Sequence, residues 1–168
     1  YDEPFVAAVP GGHPLAKEKS VSAELLKSET MLLLGNGHCF RDHVLEVCPE
    51  FARFSSDAEG IRKSFEGSSL ETIKHMVAAG MGVTLVPRLG VPLGAMQPAG
   101  KRKSGQFGQV QYLPVVDVHE APPTRRVVLV WRRSYTRMQA IEALREAIRA
   151  CDLPGVIRLD QRKSTKGR

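Results

Sequence analysis

Asn36-Gly37-His38-Cys39-Phe40-Arg41-Asp42-His43-Val44-Leu45-Glu46-Val47-Cys48-Pro49 carries two of the chain's three cysteines, nine positions apart. Asn36-Gly37 follows the apolar run Met31 to Leu34 and marks a chain reversal, because both residue types tolerate positive φ. Phe40, Val44 and Val47 then recur at helical spacing, and Pro49 discourages continuation past Cys48. The stretch predicts a strand, a tight turn and a short helix with Cys39 near its start and Cys48 at its end.

That placement carries chemistry. The first backbone N–H groups of a helix and its dipole stabilise negative charge, which favours the thiolate form of a cysteine there. His38 precedes Cys39, His43 follows one turn along the same face, and Arg41 adds positive charge. A thiolate attacks peroxide to give a sulfenic acid, which condenses with a second thiol. Cys48 is the available second thiol. If residues 39 to 48 are all helical, nine steps of about 1.5 Å set the two Cα atoms roughly 13 Å apart, on opposite faces. A disulfide needs them within about 7 Å, so bonding would have to unwind the helix.

Spacing alone leaves other readings open. Cysteines in a chain without secretory features are commonly small buried hydrophobes. Cys39, His43 and Glu46 fall at i, i+4 and i+7, as metal ligands on one helix face would. No second ligand cluster or C-x-x-C accompanies them, so no metal site is expected.

With 168 residues, 42% hydrophobic and 25% charged, the chain has the make-up of one ordinary domain able to bury a core. Three cysteines, no signal peptide and no apolar run near the ~18 residues of a membrane span point to a reducing cytoplasm and no membrane. No cofactor motif is present. The start at Tyr1, without methionine, raises the expectation of a fragment. The net charge of +6 is uneven: residues 1–100 carry nine basic and twelve acidic side chains, residues 101–168 fifteen and six. Four of those positives lie in the tail 161–168, read as a solvated, disordered end and not as a nucleic-acid contact. No helix-turn-helix pattern, zinc-finger spacing or aromatic stacking array accompanies it.

Along the chain, Phe5 to Val9 reads as a buried strand ended by Pro10-Gly11-Gly12. Val21 to Leu26 predicts a short helix with Ser22 as N-cap and Leu25-Leu26 inward. Phe51 to Gly60 is a mixed connection, and Ile61 to Glu66 a weak strand. Ser68 and Glu71 fit a capping box ahead of Leu70, Ile73 and Val77, with Gly80 as the residue past the helix. Val83 to Val86 completes a strand–helix–strand unit of a parallel α/β sheet. Leu89 to Gly108 reads as a mobile surface loop, Val110 to Val115 and Val127 to Trp131 as strands. A final helix from about Ser134 to Cys151 presents Met138, Ile141, Leu144, Ile148 and Cys151 on one face, which makes Cys151 a core residue. His13, His75 and His119 read as surface or loop residues, and Trp131 as packing.

Gly37-His38-Cys39-Phe40-Arg41-Asp42 followed by Cys48 resembles the redox segment of the hydrogen-peroxide-sensing LysR-type transcription regulators. Ser69-Leu70-Glu71-Thr72-Ile73, Met76-Val77-Ala78-Ala79-Gly80 and Gly82-Val83-Thr84-Leu85-Val86-Pro87 are similar to the region that follows it there. Tyr1-Asp2-Glu3-Pro4, His13-Pro14-Leu15-Ala16 and Leu129-Val130-Trp131-Arg132 also fit, so the resemblance runs to about residue 151. It implies an α/β, periplasmic-binding-protein-like two-lobed regulatory domain, with the second lobe nearly complete and the first partial. Residues 1–9 would be a crossover strand, 10–126 the second lobe with its redox segment at 36–49, 127–151 the return strand and first-lobe helix, and 152–168 the tail.

The same resemblance implies that Cys39 is the peroxide-reactive thiol and Cys48 its resolving partner. His38, Arg41, Asp42 and Arg132 would shape the pocket. Hydrogen peroxide, a cytosolic thiol reductant and a second copy in a dimer or tetramer would be the partners, with DNA reached only through an N-terminal domain that is not in this sequence. The first-lobe threonines of that pocket are missing as well. The expected protein is a sensor and not an enzyme. Two other readings are a small-metabolite-binding regulatory domain using Ser68 and Ser69 at a helix N-terminus, and, more remotely, a thiol peroxidase.

Overall fold

A computed structural model describes residues 1–49, 51, 64–96, 108–117 and 121–159. Its centre is strand β1 (Asp2–Pro10), whose Phe5 to Val9 are all buried. An unbroken apolar run suits a strand covered on both faces. β1 pairs antiparallel with β5 (Thr84–Pro87) on one side and β6 (Val110–Val116) on the other, and at its start with β7 (Thr124–Arg126). A two-residue strand, β2 (Val21–Ser22), lies parallel to β6.

β3 (Met31–Leu34) pairs parallel with β4 (Ser64–Gly67). β3 also meets the start of β5 through a parallel bridge between Met31 and Val83, reinforced by the Thr84 hydroxyl donating to the Leu32 carbonyl at 2.7 Å. The sheet is therefore mixed. The expected parallel pairing holds where helices cross over, between β3 and β4. It fails around β1, which runs opposite to β5, β6 and β7.

Among the described residues, α1 (Ala23–Leu26), α2 (Cys39–Val47) and α3 (Leu70–Ala78) pack on this frame, and α4 (Met138–Ala150) stands off it. Ser22 caps α1 as expected, accepting from the Leu25 N–H. Only Leu26 faces inward; Leu25 is exposed, because a single turn presents one residue to the sheet. α3 ends in a Schellman motif, with the Gly80 N–H bonded to the Val77 carbonyl, the Met81 N–H to the Met76 carbonyl, and Gly80 at φ 80°. Its start differs from expectation by one residue. Ser69, not Ser68, accepts from the Thr72 N–H at 3.1 Å, so the capping box of Ser68 with Glu71 does not form.

The last third departs most from the sequence reading. Strand β7 stops at Arg126, and 127–131 form no strand, although Val127 exchanges backbone bonds with Tyr1. Val128 and Val130 are 64% and 79% exposed, since among the described residues no strand lies beside them. α4 starts four residues later than expected and buries none of its residues. Its apolar face fronts an open groove of about 590 Å³, lined also by Val127, Leu129, Leu153 and Leu159. Cys151 sits in that groove exposed, so its expected core role does not hold. The start of the expected tail is also tied down, by a bridge between Ile157 and Asp2. Residues 52–63, which hold most of the connection after Phe51 and the start of the expected Ile61–Glu66 strand, 97–107 of the Leu89–Gly108 loop, His119, and 160–168 lie outside the described residues. At the start of that loop, Arg88–Gly90 form a 3-10 turn, and Val91 is buried. Among the described residues, no helix is long and apolar enough to cross a membrane.

Ser69→Ala should lower stability to chemical denaturation by about 1 kcal/mol through loss of the α3 cap, whereas Ser68→Ala should change it by less than about 0.5 kcal/mol.

Candidate functional site

The apolar strand β3 runs into Gly35-Asn36-Gly37, where Gly37 at φ 93° turns the chain into α2. A side chain there would be strained in that left-handed conformation. His38 holds the N-cap position in extended conformation with no side-chain bond to the helix. α1 and α3 are capped by serine; α2 is not. No side chain caps the first N–H groups beside Cys39, which is the first helical residue and is exposed, and the Arg41 N–H turns back to the His38 carbonyl at 2.9 Å. Asp42 in the first turn complements the positive end of the dipole.

The inner face of α2 is fixed by Phe40, Arg41, Val44 and Cys48, all buried. Cys48 is fully buried at the helix C-cap, its N–H on the Val44 carbonyl at 2.9 Å. No disulfide joins any of Cys39, Cys48 and Cys151. With residues 39–47 helical, the rise of about 1.5 Å per residue keeps the Cα atoms of Cys39 and Cys48 roughly 13 Å apart.

Arg41 turns inward. Its Nη1 donates to the Leu34 carbonyl at 2.8 Å and lies 2.8 Å from the Glu66 carboxylate, which stitches α2 to the ends of β3 and β4. His38 and Asp42 are exposed at the helix start. His43 is half-buried, and its Nδ1 has no partner among the described residues. Arg132 lies in an exposed turn closed by the Tyr135 N–H on its carbonyl. The Ser69 hydroxyl is occupied by its own helix, between the Thr72 N–H and the Thr72 hydroxyl. Ser68 is exposed.

The arginine in contact with α2 is one that sequence reasoning missed. The Arg125 guanidinium stands 5.3 Å from the centroid of the Phe40 ring, and the same ring meets Phe5 of β1 at 5.7 Å. Arg125 is paired with Glu3, which is 1% exposed. The only hint in the sequence is a match of opposite charge doublets, Asp2-Glu3 and Arg125-Arg126, whose pairing depends on a register fixed by the β1–β7 ladder. In the second pair Arg126 is exposed and Asp2 half-buried; the Arg126 hydrogen bonds hold the Asp2 carboxyl below its ordinary range. At the far end of the sheet, burial and then the nearby Glu71 charge push the Tyr112 phenol up.

Residues 1–151 match the LysR substrate binding domain, and the chain belongs to that family. Its fold is the α/β, periplasmic-binding-protein-like fold of LysR-type regulatory domains. The chain is 38% identical over 150 residues to the DNA-binding transcriptional dual regulator OxyR of Escherichia coli K12, covering 89% of this chain and 43% of that protein. It is similar to the reduced form of the OxyR regulatory domain from Pseudomonas aeruginosa, with 38% identity, TM-score 0.65, and coverage of 90% of this chain and 63% of that one. A reduced form of OxyR from N. meningitidis matches at 34% identity and TM-score 0.76, covering 95% and 67%. The chain thus spans less than half the length of the E. coli regulator it matches.

Two measurements check this geometry. Native-state alkylation followed by peptide mass spectrometry should label Cys39 and Cys151 readily and Cys48 roughly tenfold more slowly or less. Arg41→Ala, which strands the Leu34 carbonyl, should cost about 1–3 kcal/mol in a urea titration, against under about 0.5 kcal/mol for Asp42→Ala.

Proposed function

We propose that this chain is regulatory-domain sequence of a hydrogen-peroxide-responsive LysR-type transcription activator, switched by a reversible Cys39–Cys48 disulfide. The observation that carries the reading is the arrangement of the two thiols: one exposed on the open N-terminus of α2, the other buried at its end, with the helix between them. Relatives named as hydrogen peroxide-inducible genes activators, beside the OxyR proteins above, support it.

The chemistry balances with peroxide as oxidant. The Cys39 thiolate attacks one peroxide oxygen, the O–O bond breaks, and the departing hydroxide takes a proton to leave as water. The sulfur is left as a sulfenic acid. The Cys48 thiolate then attacks that sulfur and forms the S–S bond; the hydroxyl leaves with a proton as a second water. Two thiols are oxidised and one peroxide is reduced. A cytosolic dithiol or glutathione couple returns both electrons and resets the pair.

Closing the bond brings Cα atoms from roughly 13 Å to within about 7 Å, which a rigid helix does not permit. α2 therefore comes apart, Cys48 leaves its buried site, and the packing of one regulatory domain on another changes. DNA contact through a separate N-terminal domain follows that packing. Residues 1–9 and the stretch near 127 serve as the crossovers between lobes in this reading, with residues 10–126 as the second lobe. His38, Asp42 and Arg132 supply polar and charged groups near the peroxide in the assembled domain, while Arg41 acts by holding α2 in place.

A metabolite-binding role at Ser68 and Ser69 is weaker, because the Ser69 hydroxyl is already spent on its own helix. After a stoichiometric peroxide pulse, peptide mapping should find a Cys39–Cys48 disulfide. A sulfinic acid on Cys39 with no bond to Cys48 would contradict the reading. Retention of an inducer response by Cys39→Ser would favour the metabolite alternative.

A further inference from the structure

The proposed switch does not use the most deeply buried charge described in the structure. Glu3 is 1% exposed, and its carboxylate accepts the Leu89 N–H at 2.8 Å and the Arg125 Nε–H at 2.9 Å, with Arg125 Nη2 at 2.8 Å. Taking a carboxylate out of water is costly, and an apolar residue would hold β1 against β7 at least as well. What the ion pair adds is direction. Bound at two nitrogens, the Arg125 fork is held beside the Phe40 ring, 5.3 Å from its centroid. Phe40 is the residue next to Cys39.

The adjacent rung supplies a natural contrast. Asp2 and Arg126 also pair through Nε and Nη2, one to each carboxylate oxygen at 2.8 and 2.9 Å, but Arg126 is exposed and among the described residues makes no ring contact with α2. An exposed pair of that kind contributes little.

We propose that Glu3 is a positioning residue for the redox pair: by fixing Arg125 on Phe40 it stabilises the helical, dithiol form and raises the midpoint potential of the Cys39–Cys48 couple. The proposal rests on the disulfide reading above. The cation and the Phe5 ring contact Phe40 while α2 is wound. Unwinding the first turn to bring Cys39 toward Cys48 pulls the ring from both, so these contacts weigh on the reduced side alone. Removing them lets the disulfide form more easily and be reduced less easily.

The test is equilibration of the full chain in glutathione redox buffers, with the disulfide fraction read by mass after thiol blocking. Glu3→Gln should shift the equilibrium toward disulfide by roughly tenfold, the scale of one cation–ring contact plus a charged hydrogen bond; that is about 30 mV more negative for a two-electron couple. Arg125→Lys, which keeps the charge and loses the planar fork, should move in the same direction. Asp2→Asn should leave the potential unchanged. A Glu3→Gln potential equal to that of the unsubstituted chain overturns the proposal. Should Glu3→Gln fail to fold, Phe40→Leu decides: it fills the same space without a ring face, and an unshifted potential there overturns the proposal equally. Absence of any Cys39–Cys48 bond in the unsubstituted chain would instead sink the disulfide reading itself.

Discussion

The burial of Phe40, Arg41, Val44 and Cys48 along one side of α2 is the constraint on which the site depends. A nine-residue helix is too short to persist on its own in water, so its helical state is a product of packing. Phe40 packs against Phe5 of the central strand, and Arg41 binds the carbonyl and carboxylate at the ends of β3 and β4. These contacts hold the segment wound. The same contacts also set what has to be given up if it unwinds. A covalent S–S bond is a driving term large enough to compete with several such contacts, each of which is worth only on the order of 1–3 kcal/mol.

The chemistry of the segment follows from its two ends. The start lacks a side-chain cap and leaves Cys39 in solvent, while the end carries Cys48 into the core ahead of Pro49. One thiol is placed for attack by a small oxidant and the other is shielded from it. That division follows from the two faces of the helix: Cys39 lies with Asp42 on the exposed side, and Cys48 with Phe40 and Val44 on the buried side.

Much of this was legible because local rules and tertiary needs agreed. The apolar runs at Phe5–Val9 and Met31–Leu34 are strands, Gly80 closes α3 in a left-handed conformation, and Asn36-Gly37 turns the chain ahead of Cys39. The cap of α3 depended on fine geometry: Ser68 has the capping-box spacing to Glu71, yet Ser69 is the residue whose oxygen meets the Thr72 N–H. Long-range pairings were not legible at all. Glu3 and Arg125 are 122 positions apart and meet through an antiparallel register that no periodicity encodes. Residues 127–131 and the α4 face have the apolar patterns of a strand and a packed helix. Among the described residues they meet only across an open groove that leaves Val128, Val130, Met138 and Leu144 exposed, and pattern records only the wish for a neighbour.

Backbone amide exchange across α2 tests the central claim most directly. In the dithiol form the N–H groups from His43 to Cys48 should be protected, since each closes a helical bond. After one equivalent of peroxide that protection should collapse in the unsubstituted chain and persist in Cys48→Ser. Protection that survives in a chain with the Cys39–Cys48 bond already formed would contradict the account, because the sulfurs would then have met without the helix giving way.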